Sequence, residues 1–419
     1  MGKLLLFAGL FSVALAAAQT PEDRTFAQQL CSPGFHGRGY VNKGDSIAAE
    51  YIANAFKTAG LKPVKGSYFQ AFQHNVNTFP GACEFSSPQR AFEPGIHYLV
   101  DPSSGGGKYT LTPTTLPINV LLDNQLVQKQ VIKLISDKQY NALLIPLLGY
   151  GADTVKRLNV LAEQLANALP VITVTDKKLT WSVANDQLRF PLVHLHDSVY
   201  LSQTQFNLNL DATLRNGYTS RNVLGWLKAK KKTSQTLIIS AHYDHLGRMG
   251  QATYFPGGND NASGTTMMVS LAKYFKEHKP DVNILFVAFA GEEAGLVGSN
   301  YFVEHPLLPL NTIQFVLNLD IMGSGEEGIT VVNATLHPEK FATLNQLNAQ
   351  GQYLKTIKSR GPAANSDHYW FTQKNVPAFF IYTMGENKHY HDVFDTYEAL
   401  SFSTFNALKQ LLIQFCLSK

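Results

Sequence analysis

The sequence predicts an α/β protein built on a mainly parallel, mixed central sheet with helices on both faces. Three observations carry that prediction. The first is residues 282–290, VNILFVAFA, nearly all apolar and closed by Gly291. The run is far too short to span a membrane. Its length, β-branched content and flanking glycine read as a strand buried on both faces, as in a parallel sheet. The second is the alternation of strand-like, loop-like and helix-like stretches from Asn222 to the end of the chain, which implies such a sheet with helices above and below it. The third is that several of these strands end in residues able to bind a cation: Glu292 and Glu293 follow the run just quoted, and His242 and Asp320 end two others.

In chain order, residues 1–18 stand apart from the fold. Lys3 gives a short positive start, residues 4–15 are apolar, and Ala16-Ala17-Ala18 offers a small-residue cleavage site before Gln19. That is the pattern of a secretory leader cleaved after Ala18, so a secreted or periplasmic protein without a stable membrane anchor is expected. Residues 45–59 place Ala48, Tyr51, Ile52, Ala55 and Phe56 on one helical face, with Gly60 as the stop. Residues 69–76 read as a strand. From 92 to 215 the texture changes to short apolar runs (143–148, 171–174) around a helix-like 153–168, with no metal-ligand spacing. His194 and His196 alternate on a strand there and read as structural. This stretch is expected to be an inserted domain between two parts of the main domain, 19–91 and 216–419. Further on, strands are expected at 236–241, 313–319 and 378–382, and helices at 265–276 and 401–417.

Composition narrows the function classes. Charged residues are 16%, against roughly 25% in an average globular protein, so the chain is not a disordered one. A net charge of +4, scattered along the sequence, gives no footprint for nucleic acid. Lys228 and Lys230–Lys232 fall between two strands and read as a solvated loop. Three cysteines, Cys31, Cys83 and Cys416, lack the spacing of a zinc knuckle or catalytic dithiol. Export permits a disulfide, and Cys31 with Cys83 is the expected pair, leaving Cys416 free on an apolar C-terminal helix.

In open α/β sheets, ligands bind beyond the carboxyl ends of the strands. His242, Asp260, Glu292, Glu293, Asp320 and His391 all sit at such ends or in the loops just after them. Each alone has an ordinary structural explanation. Together, two imidazoles and three or four carboxylates on one sheet edge form a donor set for a borderline metal such as zinc.

At this point the motifs SAHYDHLG (240–247), PGGNDNASG (256–264), AFAGEEAGLVGS (288–299), NLDIMG (318–323), SDHYWF (366–371) and YHDVFDT (390–396) resemble those of the secreted di-zinc aminopeptidases typified by bacterial leucyl aminopeptidase. Glutamate carboxypeptidases and glutaminyl cyclases are relatives of that family. Residues 36–63 resemble its N-terminal helical region, and the insert, through LPVITVT (169–175), resembles a protease-associated domain. The resemblance implies a zinc exopeptidase fold and two Zn2+ per chain bridged by Asp260. His242 and Asp320 would complete one site, Glu293 and His391 the other. Asp244 would hydrogen-bond His242 and fix its tautomer. Glu292, left without a metal, would act as general base toward a zinc-bound water, and Tyr390 would polarise the scissile carbonyl. Peptides are the implied substrates, cleaved at the N-terminal bond.

Two features depart from the family pattern. Residues 248–255 are an insertion expected to shape the pocket rim. After His391, Asp392-Val393 stand where the family has Thr-Pro, which leaves His389 as a competitor for ligand status, although the spacing to Asp395-Thr396 favours His391. Asp367 and His368 are expected to line the pocket or to support the ligands. Three other readings stay open: a glutaminyl cyclase, a carboxypeptidase on the same fold, and a non-catalytic receptor-type module. The last is disfavoured because every ligand and the base are present.

Overall fold

The structure, a computed structural model, describes residues 21–136, 141–199 and 204–418. The leader and cleavage site expected at 1–18 lie outside the described residues. Among the described residues no helix is long and apolar enough to cross a membrane.

An eight-stranded sheet forms the frame. Its strands are β1 (Phe69–Thr78), β2 (Thr213–Leu227), β3 (Thr236–His242), β4 (Asn283–Phe289), β5 (Ile313–Asp320), β6 (Gly328–Val332), β7 (Ile357–Ser359) and β8 (Ala378–Met384), in spatial order β1-β2-β4-β3-β5-β8-β6-β7. The four central strands β4, β3, β5 and β8 are parallel. Antiparallel pairings lie outside them, β1 with β2, β2 with β4 and β6 with β8. The sheet is mixed for that reason, with its parallel part in the middle, where both faces are covered.

The sequence of β4 explains its place. All seven residues are buried. Ile284, Phe286 and Ala288 enter a core shared with helices Gly44–Thr58, Gly264–Glu277 and Phe405–Leu417. The alternate residues Leu285, Val287 and Phe289 face the other way, toward Phe302 and Phe371 on helices Val297–Glu304 and His368–Gln373. Each such side chain, fully buried, contributes about 1.5–3 kcal/mol. A polar substitution on either side would leave an unpaired group in a dry core.

Between β1 and β2 the chain builds a second module. One sheet of it is antiparallel (Ala91–Phe92, Cys83–Ser86, Phe206–Leu210, Gly107–Leu111). The other has five strands, Tyr98–Val100, Leu192–His196, Val171–Thr175, Ala142–Pro146 and Pro113–Thr115, parallel except at the first pairing. The module has cores of its own, apart from those of the large sheet. His194 is held there between Thr173 Oγ1 (2.8 Å) and Asp101 Oδ2 (3.2 Å).

The expected Cys31–Cys83 disulfide is not formed: all three cysteines are free. Cys31 ends helix Pro21–Cys31 inside the core of the large sheet. Cys83 packs on a core of the second module, its Sγ 3.8 Å from the Tyr98 hydroxyl. Two thiols rooted in different cores cannot meet the short Cα separation a disulfide needs.

Candidate metal centre

The carboxyl ends of β3, β4 and β5 meet at one point of the sheet edge. His242 is the last residue of β3 and Asp320 the last of β5, while Glu292 and Glu293 follow β4 across the Gly291 turn. Asp260 comes from the loop before helix Gly264–Glu277, and His391 from the loop after β8.

Asp260 stands between two groups. Its Oδ1 is 3.2 Å from His242 Nε2, and that same nitrogen is 3.3 Å from Asp320 Oδ2. Its Oδ2 is 3.1 Å from His391 Nε2, which is 3.3 Å from Glu293 Oε2. The structure therefore brings together all five residues singled out as ligands. Glu292 lies beside the first group, within metal-ligand range of His242 and Asp320. His389 points elsewhere: half-exposed, it pairs with Asp392 at 3.4 Å.

The loop carrying Asp260 is shaped by glycine. Gly257 has φ +58°, and a Cβ there would lie 2.4 Å from both the Asp260 carbonyl oxygen and His245 Cδ2. Only glycine admits that backbone and that approach. The loop is also pinned from outside, because Asp395 accepts the backbone N–H of Asn259 (2.8 Å) and of Asp260 (3.0 Å).

Asp244 acts differently from the expectation. Its Oδ1 is 3.9 Å from His242 Nδ1, too far for a hydrogen bond. The imidazole nitrogen instead faces the Asp244 backbone carbonyl at 3.2 Å. The buried carboxylate accepts the N–H groups of Glu292 (3.2 Å) and Glu293 (3.3 Å) and the Tyr40 hydroxyl (3.3 Å). It fixes the two glutamates rather than the histidine. Tyr390, 48% exposed, stacks on His391 with ring centroids 3.9 Å apart. Asp367 and His368 are buried, so neither lines an open wall. The insertion at 248–255 forms a small hairpin whose Met249 and Phe255 are buried in a core of the second module.

Two residues of the centre were not singled out from the sequence. His245, in the same motif as His242, is fully buried with Nδ1 2.7 Å from Glu293 Oε1. Its place in HYDH is the only local signal for it. Arg38, also fully buried, donates to the carbonyl oxygens of Tyr243, Leu30, Pro256 and Gly257. It ties the segments bearing His242 and Asp260 to the N-terminal region, and no spacing rule marks such an arginine.

The electrostatics follow from crowding of like charge. Burial pushes the Glu292 carboxyl up, His242 opposes this, and the charges of Glu293, Asp367 and Asp320 add to it. Burial likewise raises Asp244 to about 7. Burial lowers His245 as it does an ordinary buried histidine, but His242 and His391 move the other way. Burial disfavours their protonation, but the carboxylates around them prevail, raising His242 and bringing His391 to about 9. Asp260 is held well below the usual carboxylate range despite burial, because both imidazoles bond to it. Each feature is what a cation placed among these groups would relieve or replace.

The fold that carries this carboxylate–imidazole cluster at the ends of its parallel strands is shared with solved structures. The zinc aminopeptidase BSAP from Bacillus subtilis superposes with a TM-score of 0.68 at 19% identity, over 94% of this chain and 93% of that one. The aminopeptidase from Aneurinibacillus sp. strain AM-1 gives 0.60 at 20% identity over the same shares. Residues 222–416, a little under half of the chain, match the description "Peptidase family M28". Among curated relatives, aminopeptidase YwaD of Bacillus subtilis is 28% identical over 257 residues, covering 57% of this chain and 54% of that protein. A probable zinc metalloprotease of Pyricularia oryzae is 37% identical over 105 residues, 25% and 21% of the respective chains. The match thus spans about half of the first relative and about a fifth of the second.

Proposed function

We propose that this chain is an exported aminopeptidase that holds two zinc ions and hydrolyses the N-terminal peptide bond of its substrates, with Glu292 as general base. The observation that carries the reading is the disposition of Asp260, one carboxylate turned with one oxygen to His242 and Asp320 and with the other to His391 and Glu293. The donors fit the metal. They are imidazole and carboxylate, the set zinc takes, and Asp320 Oδ1 is buried without a hydrogen-bond partner. His242, Asp260 and Asp320 would hold one ion, and Asp260, Glu293 and His391 the other. Zinc supplies there a Lewis acid and lowers the pKa of water toward about 7.

The remaining work falls to side chains of the chain. Glu292, held at its backbone N–H by Asp244, takes a proton from the attacking water on a carboxylate oxygen and passes it to the leaving amine. Tyr390, which stacks against the His391 ring, would donate from its hydroxyl to the carbonyl oxygen as charge develops. A free α-amine is a cation, and the carboxylate-rich edge receives it. Export rests on the pattern of residues 1–18.

One peptide assayed in free, N-acetylated and C-amidated forms, together with a glutamine-leading peptide, tests the reading. The free amine should be required and the amide tolerated. Equal cleavage of the acetylated form defeats the aminopeptidase assignment. Failure on the amide alone would make the enzyme a carboxypeptidase, and ammonia release with the peptide bond intact would make it a glutaminyl cyclase.

A further inference from the structure

We infer that the second module is the holder of the His391 loop, and that Lys178 is the positioning residue through which it acts. The inference rests on the proposed zinc site of Asp260, Glu293 and His391.

The segment that follows the module's strand Val171–Thr175 contacts residues 388–392 through Lys178 and Trp181. Trp181 and His391 exchange two hydrogen bonds. The Trp181 backbone N–H donates to the His391 carbonyl (2.9 Å), and His391 Nδ1 donates to the Trp181 carbonyl (2.8 Å). With Nδ1 so engaged, Nε2 is the nitrogen left for Asp260 and Glu293. The acceptor that orients this imidazole therefore belongs to the second module rather than to the large sheet.

Lys178 closes the same loop at three points. Its Nζ lies 2.5 Å from Asp392 Oδ2 and donates to the carbonyl oxygens of Lys388 (2.9 Å) and Tyr390 (3.2 Å). All three ammonium protons are thereby used on residues flanking His391. Asp392, buried at 3% exposure, also accepts the Phe394 N–H through Oδ1 (2.8 Å). His391 itself has φ +55°, a backbone that a non-glycine residue keeps only when its surroundings impose it.

The segment is firmly rooted at its other end. The Trp181 indole donates to the Val100 carbonyl (2.8 Å) and stacks on Phe255 at 4.7 Å. Val393 meets the module too, since a Cβ on Gly95 would lie 2.5 Å from its Cγ1. The two positions where the motif departs from Thr-Pro, Asp392 and Val393, both engage the second module.

Lys178 has a half-exposed side chain (44%), so Lys178→Met should fold. Full-length wild type and variant, stripped of metal, would be titrated with zinc by calorimetry and with cobalt by visible absorption. Wild type should take up two ions. Lys178→Met should keep one affinity unchanged and weaken the other by about 10–100-fold, the usual effect of losing support behind a ligand. Asp392→Asn should weaken the same affinity, and the double variant should fall short of the sum of the two single ones, because the residues share one of the three Lys178 contacts. A purely structural role would lower the melting temperature and leave both affinities alone. Affinities in Lys178→Met within about twofold of wild type, or full additivity in the double variant, would overturn the inference. Wild type that takes up no metal would instead overturn the proposed function, and this inference with it.

Discussion

Replacing Arg38 by Met should destabilise the protein and loosen the metal centre together. The side chain is fully buried and reaches four carbonyl oxygens at 2.6–3.1 Å, on Leu30, Tyr243, Pro256 and Gly257, and a fifth, on Asp260, at 3.4 Å. Methionine follows the aliphatic stem but donates nothing, so each carbonyl is left without this partner. A buried polar group so stranded costs about 1–3 kcal/mol. These costs do not add, since the variant no longer has to bury a charge. A net loss of about 3–5 kcal/mol, as for breaking other buried charged networks, is the expected size. At about 1.2 °C per kcal/mol for a chain of this length, the melting temperature should fall by about 4–6 °C. Arg38→Lys, which leaves three donors for five acceptors, should lie between wild type and Arg38→Met. Calorimetry on the metal-free forms of all three proteins gives the comparison. A fall of less than about 2 °C in Arg38→Met would show that these bonds do not hold the loops.

Glu292→Gln keeps size and removes proton acceptance, so turnover should drop by about two or more orders of magnitude with zinc content unchanged. Near-wild-type turnover would place the base elsewhere. Asp260→Asn should instead lose metal, since the residue faces both imidazoles, and elemental analysis showing full zinc in that variant would reject the bridging role. Glu326 tests acid stability away from the centre. Its slight burial opposes ionisation, but Ser401, Ser403 and the Gly325 N–H bond to its carboxylate, and its pKa falls from 4.5 to about 2. A carboxyl lowered on folding contributes stability above its unfolded pKa, lost here as pH falls from 4.5 toward about 2. The group is only partly buried and is screened by solvent, so the effect is small, about 0–1 kcal/mol. Glu326→Gln should flatten the stability profile over that window, and identical acid profiles would remove the assignment.

The central sheet was legible because β3, β4 and β5 are short apolar runs with abrupt polar ends, a pattern few other structures produce. The same abruptness made His242, Glu292, Glu293 and Asp320 visible, each lying where a buried strand gives way to polar chain. Asp260 and His391 come from loops and were reached through their motifs. Arg38 was not legible, since its partners are backbone carbonyls from segments about 200 residues away, and carbonyls carry no sequence identity. The carboxylate of Asp244 was misassigned for a related reason. The donors it accepts are the peptide N–H groups of Glu292 and Glu293, so the side chain two residues from His242 serves another loop. The unpaired cysteines follow suit. Proximity in the N-terminal sequence suggested a bond, but Cys83 already lies past β1, where the chain has left the large sheet.

The charge balance at the strand ends gives the proposed function its strongest physical footing. Asp244, Asp260, Glu292, Glu293, Asp320 and Asp367 gather around His242, His245 and His391. Even with every imidazole protonated, the carboxylates would be in excess, in a place where an unpaired buried charge is expensive. Protons alone can relieve that excess only by neutralising the groups the chemistry needs, and the upward shifts of Glu292, Asp244 and Asp367 are that relief. Two divalent cations between Asp260 and its flanking pairs would relieve it without protons, freeing the histidines to be neutral ligands and Glu292 to be an ionised base. On the proposed function, the same carboxylates that would be costly to bury without metal are the ones that would favour a substrate bearing a free amine.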